Sequence, residues 1–229
     1  MNIIAFDTAT DIFSIGLSTG DKNYYLTADS GQKHSELIMD AADVLMRIGG
    51  IAREELGAAA CMEGPGSFTG LRIGFAAAKG LALALGITII PVPTLDCMAS
   101  PFSFWPGIVV PVMDAKKNAF FTALYRKGER LTPYLDTEME GLINSIKDVI
   151  ARQTQNPPPL LIAGPAAGLA FSPLTDAFPG AVCDTACRQG FAGELLNLAK
   201  EKTIIMTEPV VNSGPLYLRK SDAELMKQN

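Results

Sequence analysis

Two stretches of this chain share one rhythm, and that rhythm limits the folds open to it. Ile3-Ile4-Ala5-Phe6 is a short apolar run that ends at Asp7, passes through a polar turn from Thr8 to Asp11 and resumes from Ile12 to Leu17. Later, Ile108 to Met113 ends at Asp114, turns through Ala115 to Asn118 and resumes from Ala119 to Tyr125. Overlaid without a gap, Asp7 falls on Asp114, Phe13 on Phe120 and Leu17 on Leu124. Short β-prone runs joined by tight turns make antiparallel meanders, not βαβ units. The same meander met twice predicts a duplicated lobe, with a chance likeness of two hairpins as the alternative. Helical periodicity and further strands after each meander predict an α/β protein.

The intervening segments fit a lobe plan. Gln32 to Ile48 has a helical period, with Leu37, Ile38, Ala41, Leu45 and Ile48 on one side. Glu36, Asp40, Asp43 and Arg47 are its polar residues, and Ser30 is a candidate cap. Leu56 to Cys61 reads as a strand, Gly70 to Leu85 as a helix closed by Gly86, and Ile87 to Val92 as the next strand. A short helix is expected from Pro93 to Met98, then a Pro/Phe/Trp-rich linker over 100–107. In the second lobe a helix from Met139 to Arg152, a proline loop from Asn156 to Pro159, a strand from Leu160 to Ala163 and a helix from Gly190 to Lys200 follow the hairpin. The tail from Glu208 reads as extended. The expected lobes are 1–104 and 105–229, with the tail returning to the first.

Composition narrows the function. The chain has 229 residues, 48% of them hydrophobic and 19% charged, enough for a core without disulfides or metals. A net charge of -5 and the lack of any Lys/Arg run argue against autonomous nucleic-acid binding. Cys61, Cys97, Cys183 and Cys187 have no companion histidines at zinc spacing and read as reduced thiols. No secretory pattern opens the chain, and the apolar run from Leu81 to Val92 is too short to span a bilayer. The expectation is a cytoplasmic protein with no membrane contact.

The stretch Met62-Glu63-Gly64-Pro65-Gly66-Ser67-Phe68-Thr69-Gly70-Leu71-Arg72-Ile73-Gly74 invites a phosphate-loop reading. It lacks the lysine of the G-x-x-x-x-G-K-[ST] pattern and misses the G-x-G-x-x-G spacing. A helix starting near Phe68 could still hold an anion at its N-terminus, with Arg72 as donor or as partner to a carboxylate on another protein. Gly70, Gly74, Ala78 and Ala82 recur every four residues, so one face is nearly bare. Ile73, Ala77, Leu81 and Leu85 form an apolar face beside it. Two such faces imply burial on both sides, by a sheet on one and by a helix of this chain or another subunit on the other.

Signs of catalysis are sparse. Asp7 and Asp114 end corresponding strands and could approach a Mg²⁺-nucleotide, yet both following turns lack the glycines that let backbone wrap phosphates. A structural, turn-bonding Asp7 is the stronger expectation. His34 is the only histidine, so one chain cannot build a His-based metal cluster. Ser35, Ser67 and Cys61 have no obvious base in linear proximity, though folding could supply an aspartate or His34.

Ile3 to Thr10, Gly64 to Gly74, Lys79-Gly80-Leu81-Ala82, Met113-Asp114-Ala115 and Tyr217-Leu218-Arg219 together resemble the TsaB family, the noncatalytic actin-like paralogues of the tRNA threonylcarbamoyladenosine pathway. The resemblance is strong in the first lobe and thin after about Gly128. It implies an α/β actin-like ASKHA fold, two lobes of duplicated ribonuclease-H-like architecture with mixed sheets. It implies a scaffold or activator for a TsaD-like transferase, which moves a threonylcarbamoyl group onto adenosine 37 of tRNAs reading codons beginning with A. A TsaE-like ATPase joins the assembly, tRNA is met only through the complex, and the chain alone forms a homodimer. No cofactor is bound tightly; ATP and Mg²⁺ would sit at the complex interface. The implied interface covers residues 32–48 and 70–85: His34, Leu37, Ile38, Ala41, Leu45, Gly70, Ile73, Gly74, Ala77, Ala78 and Leu81. Asp7, Thr8, Arg72 and Asp114 are the candidate nucleotide or anion contacts. A free-standing small-molecule kinase is the alternative, and a peptidase a weaker one.

Overall fold

The computed structural model describes residues 1–20, 22–29, 31, 33–153, 158–186, 189–205 and 214–219. Two compact units emerge: Met1–Cys97 with Gln189–Tyr217, and Met98–Arg188 with the chain from Leu218. The first unit begins with strands β1 (Asn2–Asp7), β2 (Ile12–Thr19) and β3 (Lys22–Asp29), followed by helix α1 (His34–Gly49). Then come β4 (Leu56–Gly64), α2 (Phe68–Leu85), β5 (Thr88–Pro93) and α3 (Thr94–Ala99). The Ser30 cap lies outside the described residues; Lys33 occupies the N-cap position and makes no side-chain capping bond. Pro93 closes β5 instead of opening a helix.

The first sheet has the order β3-β2-β1-β4-β5. β1, β2 and β3 pair antiparallel, and β4 and β5 run parallel to β1. The pleat decides which residues face which layer. Ile4, Phe6, Phe13, Ile15 and Leu17 pack with Ile38, Ala42 and Leu45 of α1 and Phe75 and Ala78 of α2. The other face carries Ala5, Asp7, Ser14, Gly16, Ala58 and Ala60, small side chains that let a helix approach closely. That helix is α6 (Ala192–Ile205), lying on β1, β2, β4 and β5. A Cβ on Gly16 would stand 2.7 Å from Leu196 Cδ1. A cut after residue 104 gives this helix to the second lobe; its contacts give it to the first, because the first sheet has a second face to cover.

The second unit holds β6 (Ile108–Asp114), β7 (Ala119–Thr122), β8 (Tyr125–Arg126), β9 (Glu129–Arg130), β10 (Leu135–Glu138), α4 (Met139–Gln153), β11 (Leu160–Ala163), α5 (Ala167–Ala177) and β12 (Val182–Cys183). The strand expected from Ala119 to Tyr125 breaks after Thr122, and its remainder becomes a small β8–β9 hairpin beside β6. The main sheet has the order β10-β7-β6-β11-β12. With β6, β7, β10, β11 and β12 in place of β1 to β5, order and directions match the first sheet. Both are the ribonuclease-H-like arrangement, so the duplication read from two hairpins extends to whole units. Pro165, Gly168 and Pro173 hide α5 in the sequence. It forms because Ala167, Ala170 and Leu174, one helical stripe, are buried against the sheet.

Candidate functional site

The glycine stretch grips its own chain. Ser67 caps α2, its hydroxyl accepting from the Gly70 N–H at 3.2 Å, while its own N–H donates to the Ala9 carbonyl at 2.8 Å. Thr8 Oγ1 donates to the Gly70 carbonyl at 2.7 Å. A Cβ on Gly70 would overlap the Thr8 carbonyl, one on Gly74 would stand 2.6 Å from Thr8 Oγ1, and one on Gly66 2.7 Å from the Ala9 carbonyl. Gly64 has φ +119°, and the Leu216 carbonyl fills the space beside it. The Leu216 N–H donates to the Glu63 carbonyl at 2.6 Å. The glycines therefore admit the β1–β2 turn and the C-terminal segment.

Asp7 is fully buried. Its carboxylate accepts from the Phe191 N–H (2.8 Å), from Ser14 Oγ (2.9 Å) and from the Ala9 N–H (3.3 Å). Ser14 Oγ in turn accepts from the Ala192 N–H at 3.1 Å. Strands β1 and β2 thus supply the anion and hydroxyl that satisfy the open N–H groups at the start of α6. Burial raises the Asp7 pKa despite these donors, whose bonds pull the other way. Thr8, also buried, is committed to Gly70. Asp114 is partly exposed and held by the Lys116 N–H (2.7 Å) and Nζ (2.9 Å), which lower its pKa. Arg72 is exposed. Its guanidinium lies 3.7 Å over the Phe68 ring and Nε donates to the Tyr217 hydroxyl at 3.2 Å. The structure brings Thr8 of the four candidates against the α2 entry, with Asp7 beneath α6, and separates Arg72 to the surface.

The implied interface residues divide. His34, Ile38, Ala41, Leu45, Gly70, Gly74 and Ala78 are buried within the chain. His34 Nε2 donates to the Thr10 carbonyl at 2.8 Å and its ring stacks on Phe13. Leu37, Ile73, Ala77 and Leu81 are half-buried against the same core. The apolar stripes are core-facing because the sheet needs them. The Gly70/Gly74 face is an intrachain contact with Thr8. What remains outside is different: Met39, Ile48 and Leu83, the last 89% exposed, with Arg72, Ala76, Lys79, Gly80 and Ala84. A Cβ on Gly80 would meet nothing. Only 28% of the apolar 18-residue α2 is buried. Its length and composition would suit a membrane span, but its glycine face is seated on Thr8.

Other side chains offer little chemistry. Burial raises the Cys61 and Cys97 thiols, which disfavours thiolate. Among the described residues no group of three or more His, Cys, Asp or Glu is placed to hold a metal ion. A cavity of about 590 Å³ near the α1 C-terminus, lined by Met46, Arg47, Ile51 and Arg53, contains none of the expected residues.

Two ribonuclease-H-like units in one chain define an actin-like ASKHA protein. A family model described as TsaD, tRNA N6-adenosine threonylcarbamoyltransferase, matches residues 28–189, and the chain belongs to that family. It is 28% identical to the tRNA threonylcarbamoyladenosine biosynthesis protein TsaB of Bacillus subtilis over 228 residues, 98% of this chain and 96% of that protein. To the Escherichia coli protein of the same name it is 33% identical over 132 residues, 56% of this chain and 57% of that one. The structure called YeaZ from Pseudomonas aeruginosa has a TM-score of 0.76 at 23% identity, covering 95% of this chain and 99% of that one, a likeness of fold.

Proposed function

We propose that this chain serves tRNA threonylcarbamoyladenosine biosynthesis as a noncatalytic subunit. It binds a TsaD-type threonylcarbamoyltransferase and is required for modification of adenosine 37 in tRNAs reading codons beginning with A. The observation that carries this reading is α2, an apolar helix whose outer face, Ala76, Gly80 and Leu83, is left uncovered by the chain's own described residues. Near-complete alignment with a TsaB protein supplies the pathway. Asp7 supports the noncatalytic part, since its carboxylate is already engaged by Phe191, Ser14 and Ala9. The same engagement disfavours the kinase alternative. A TsaE-like ATPase completes the assembly, tRNA is met through the complex, and ATP with Mg²⁺ binds at the complex interface. The chain works in the cytoplasm.

The test is threonylcarbamoyl transfer to tRNA in a mixture of transferase, ATPase, adenylate-forming enzyme, threonine, bicarbonate and ATP. Product is expected only when both this chain and the transferase are present. Equal product without this chain overturns the reading. Leu83→Glu is expected to keep the fold and to abolish capture of the transferase, measured by calorimetry, because it sets a charge in an apolar contact.

A further inference from the structure

The β8–β9 hairpin carries charge of the opposite sign to the chain as a whole. Within five residues Arg126, Lys127 and Arg130 stand against Glu129, a positive excess in a chain of net charge -5. Lys127 and Arg130 are exposed. The hairpin lies off the main path of its sheet, so the frame of the unit does not require it. Its base is nevertheless fixed. The Leu131 N–H donates to the Leu124 carbonyl at 2.7 Å, and the Leu124 N–H donates to Thr132 Oγ1 at 3.0 Å. At the tip Lys127 holds φ 52°, a conformation that disfavours lysine. Aromatic surface adjoins the charge. The Arg130 guanidinium sits 3.9 Å over the Tyr134 ring. A Cβ on Gly128 would stand 3.5 Å from the Ser103 Cβ, so the tip meets the loop that carries Phe104. The Phe104 ring is 77% exposed. Its loop is braced on both counts that matter: the Trp105 N–H donates to the Phe102 carbonyl at 2.9 Å, and the indole Nε1 donates to the Pro159 carbonyl at 3.2 Å. Arg130 lies two residues from Gly128, about 7 Å at the rise of a strand.

We infer that the β8–β9 hairpin and the Phe104 loop form an RNA-binding surface, with Lys127 and Arg130 on backbone phosphates and Phe104 stacked on an unpaired base. The inference rests on the reading of this chain as a subunit of a tRNA-modifying complex and adds a direct contact between the chain and the tRNA. Cations alone would suit any acidic partner. The exposed ring and the guanidinium stacked on Tyr134 select RNA among them, because every base offers a π-face and single-strand recognition joins stacking to phosphate contact. A net charge of -5 opposes RNA binding by the chain alone, so the contact acts once the rest of the complex holds the tRNA.

The test is fluorescence anisotropy of labelled tRNA, titrated across a salt series with the complex of this chain, the transferase and the ATPase. Lys127→Ala with Arg130→Ala is expected to weaken binding at least about fivefold and to flatten the slope of log K against log salt by about 1.4, the single-strand value for two phosphates. Phe104→Ala is expected to weaken binding about tenfold with the slope unchanged, since stacking releases no counterions. Lys127→Asn relaxes the tip and so separates binding from folding. It is expected to stabilise the chain and still to flatten the slope by about 0.7, an outcome a purely structural lysine does not give. Circular dichroism and transferase capture are expected to stay as in the natural chain. Affinity and slope unchanged in all three variants, with the natural complex intact, overturn this inference alone. Loss of transferase capture in the variants also overturns it, by making the surface a protein contact. A natural chain that captures no transferase overturns the proposed function, and this inference with it.

Discussion

The two units have one strand order and use their strand-end aspartates in opposite ways. Both close the fourth strand with Gly-Pro, and both glycines are left-handed, Gly64 at φ +119° and Gly164 at φ +89°. They part at the first hairpin. Asp7 pairs with Ser14 across β1 and β2, whereas Asp114 pairs with Phe120 across β6 and β7, one residue sooner. The shorter turn runs through Lys116, Lys117 and Asn118, all left-handed at φ 61°, 55° and 60°. The faces differ as well. Asp7 points away from Ile4 and Phe6 toward α6, while Asp114 follows Val110 and Val112 along the pleat of the α4/α5 side. Duplication has preserved the frame without preserving a site: one aspartate caps a helix and the other holds a turn.

The sharpest way to break this comparison is at the helix entries. Gly70→Val drives a side chain into the Thr8 backbone and is expected to cost about 3 kcal/mol in urea denaturation. Gly168, inside α5, meets nothing within 4 Å, so Gly168→Ala is expected to gain ~0.5–1 kcal/mol. An unchanged midpoint for Gly70→Val would refute the tight seating of α2. Next in size are the aspartates. Asp7→Ala strips the acceptor from the Phe191 N–H and the Ser14 hydroxyl, at an expected cost of ~1–3 kcal/mol. Asp114→Ala loses an exposed pair with Lys116 and is expected to stay within ~0.5 kcal/mol. Equal losses would mean that the two positions do the same work.

A pH series separates them by sign. The Asp7 pKa is raised on folding, so its contribution is present at acid pH and is lost as pH rises through the folded value. The Asp114 pKa is lowered, so its contribution is present above the ordinary carboxylate range and is lost as pH falls through the folded value. Relative to the natural chain, Asp7→Asn should therefore gain stability as pH rises above about 4, whereas the smaller deficit of Asp114→Asn should stay constant there and shrink only as pH falls below about 4. Melting temperatures across the series check it; parallel curves for the natural chain and Asp7→Asn would contradict a buried, desolvated carboxylate.

How far the sequence reaches follows from what each signal reports. Local rhythm revealed the first meander, α1, α2 and α4, because runs of one period are local facts. The ungapped overlay put Asp on Asp but could not sense a turn shorter by one residue, which decides the face. Helix α5 was hidden by its prolines, and α6 was placed in the wrong lobe because a sheet's need for a second cover is a long-range fact. The small face at Gly70 and Gly74 signals a close approach, but the occupant, Thr8, is 62 residues from Gly70 in sequence and leaves no local trace.

The smallest expected effect tests a feature of the second unit alone. Among the described residues the β8–β9 hairpin has no counterpart in the first unit, and Arg126 pairs with Glu129 across a two-residue loop. Lys127 and Gly128 fill that loop at φ 52° and 81°, the left-handed pair that a type I′ turn requires. Lysine carries a Cβ that crowds its carbonyl there, whereas asparagine tolerates the conformation. Lys127→Asn is therefore expected to stabilise the chain by ~0.5 kcal/mol in urea denaturation, without moving transferase capture. The native Asp7–Phe191 latch lies in the other unit, so Lys127→Asn and Asp7→Ala should combine additively. A coupling above ~0.5 kcal/mol would show that the turn and the latch are not energetically independent.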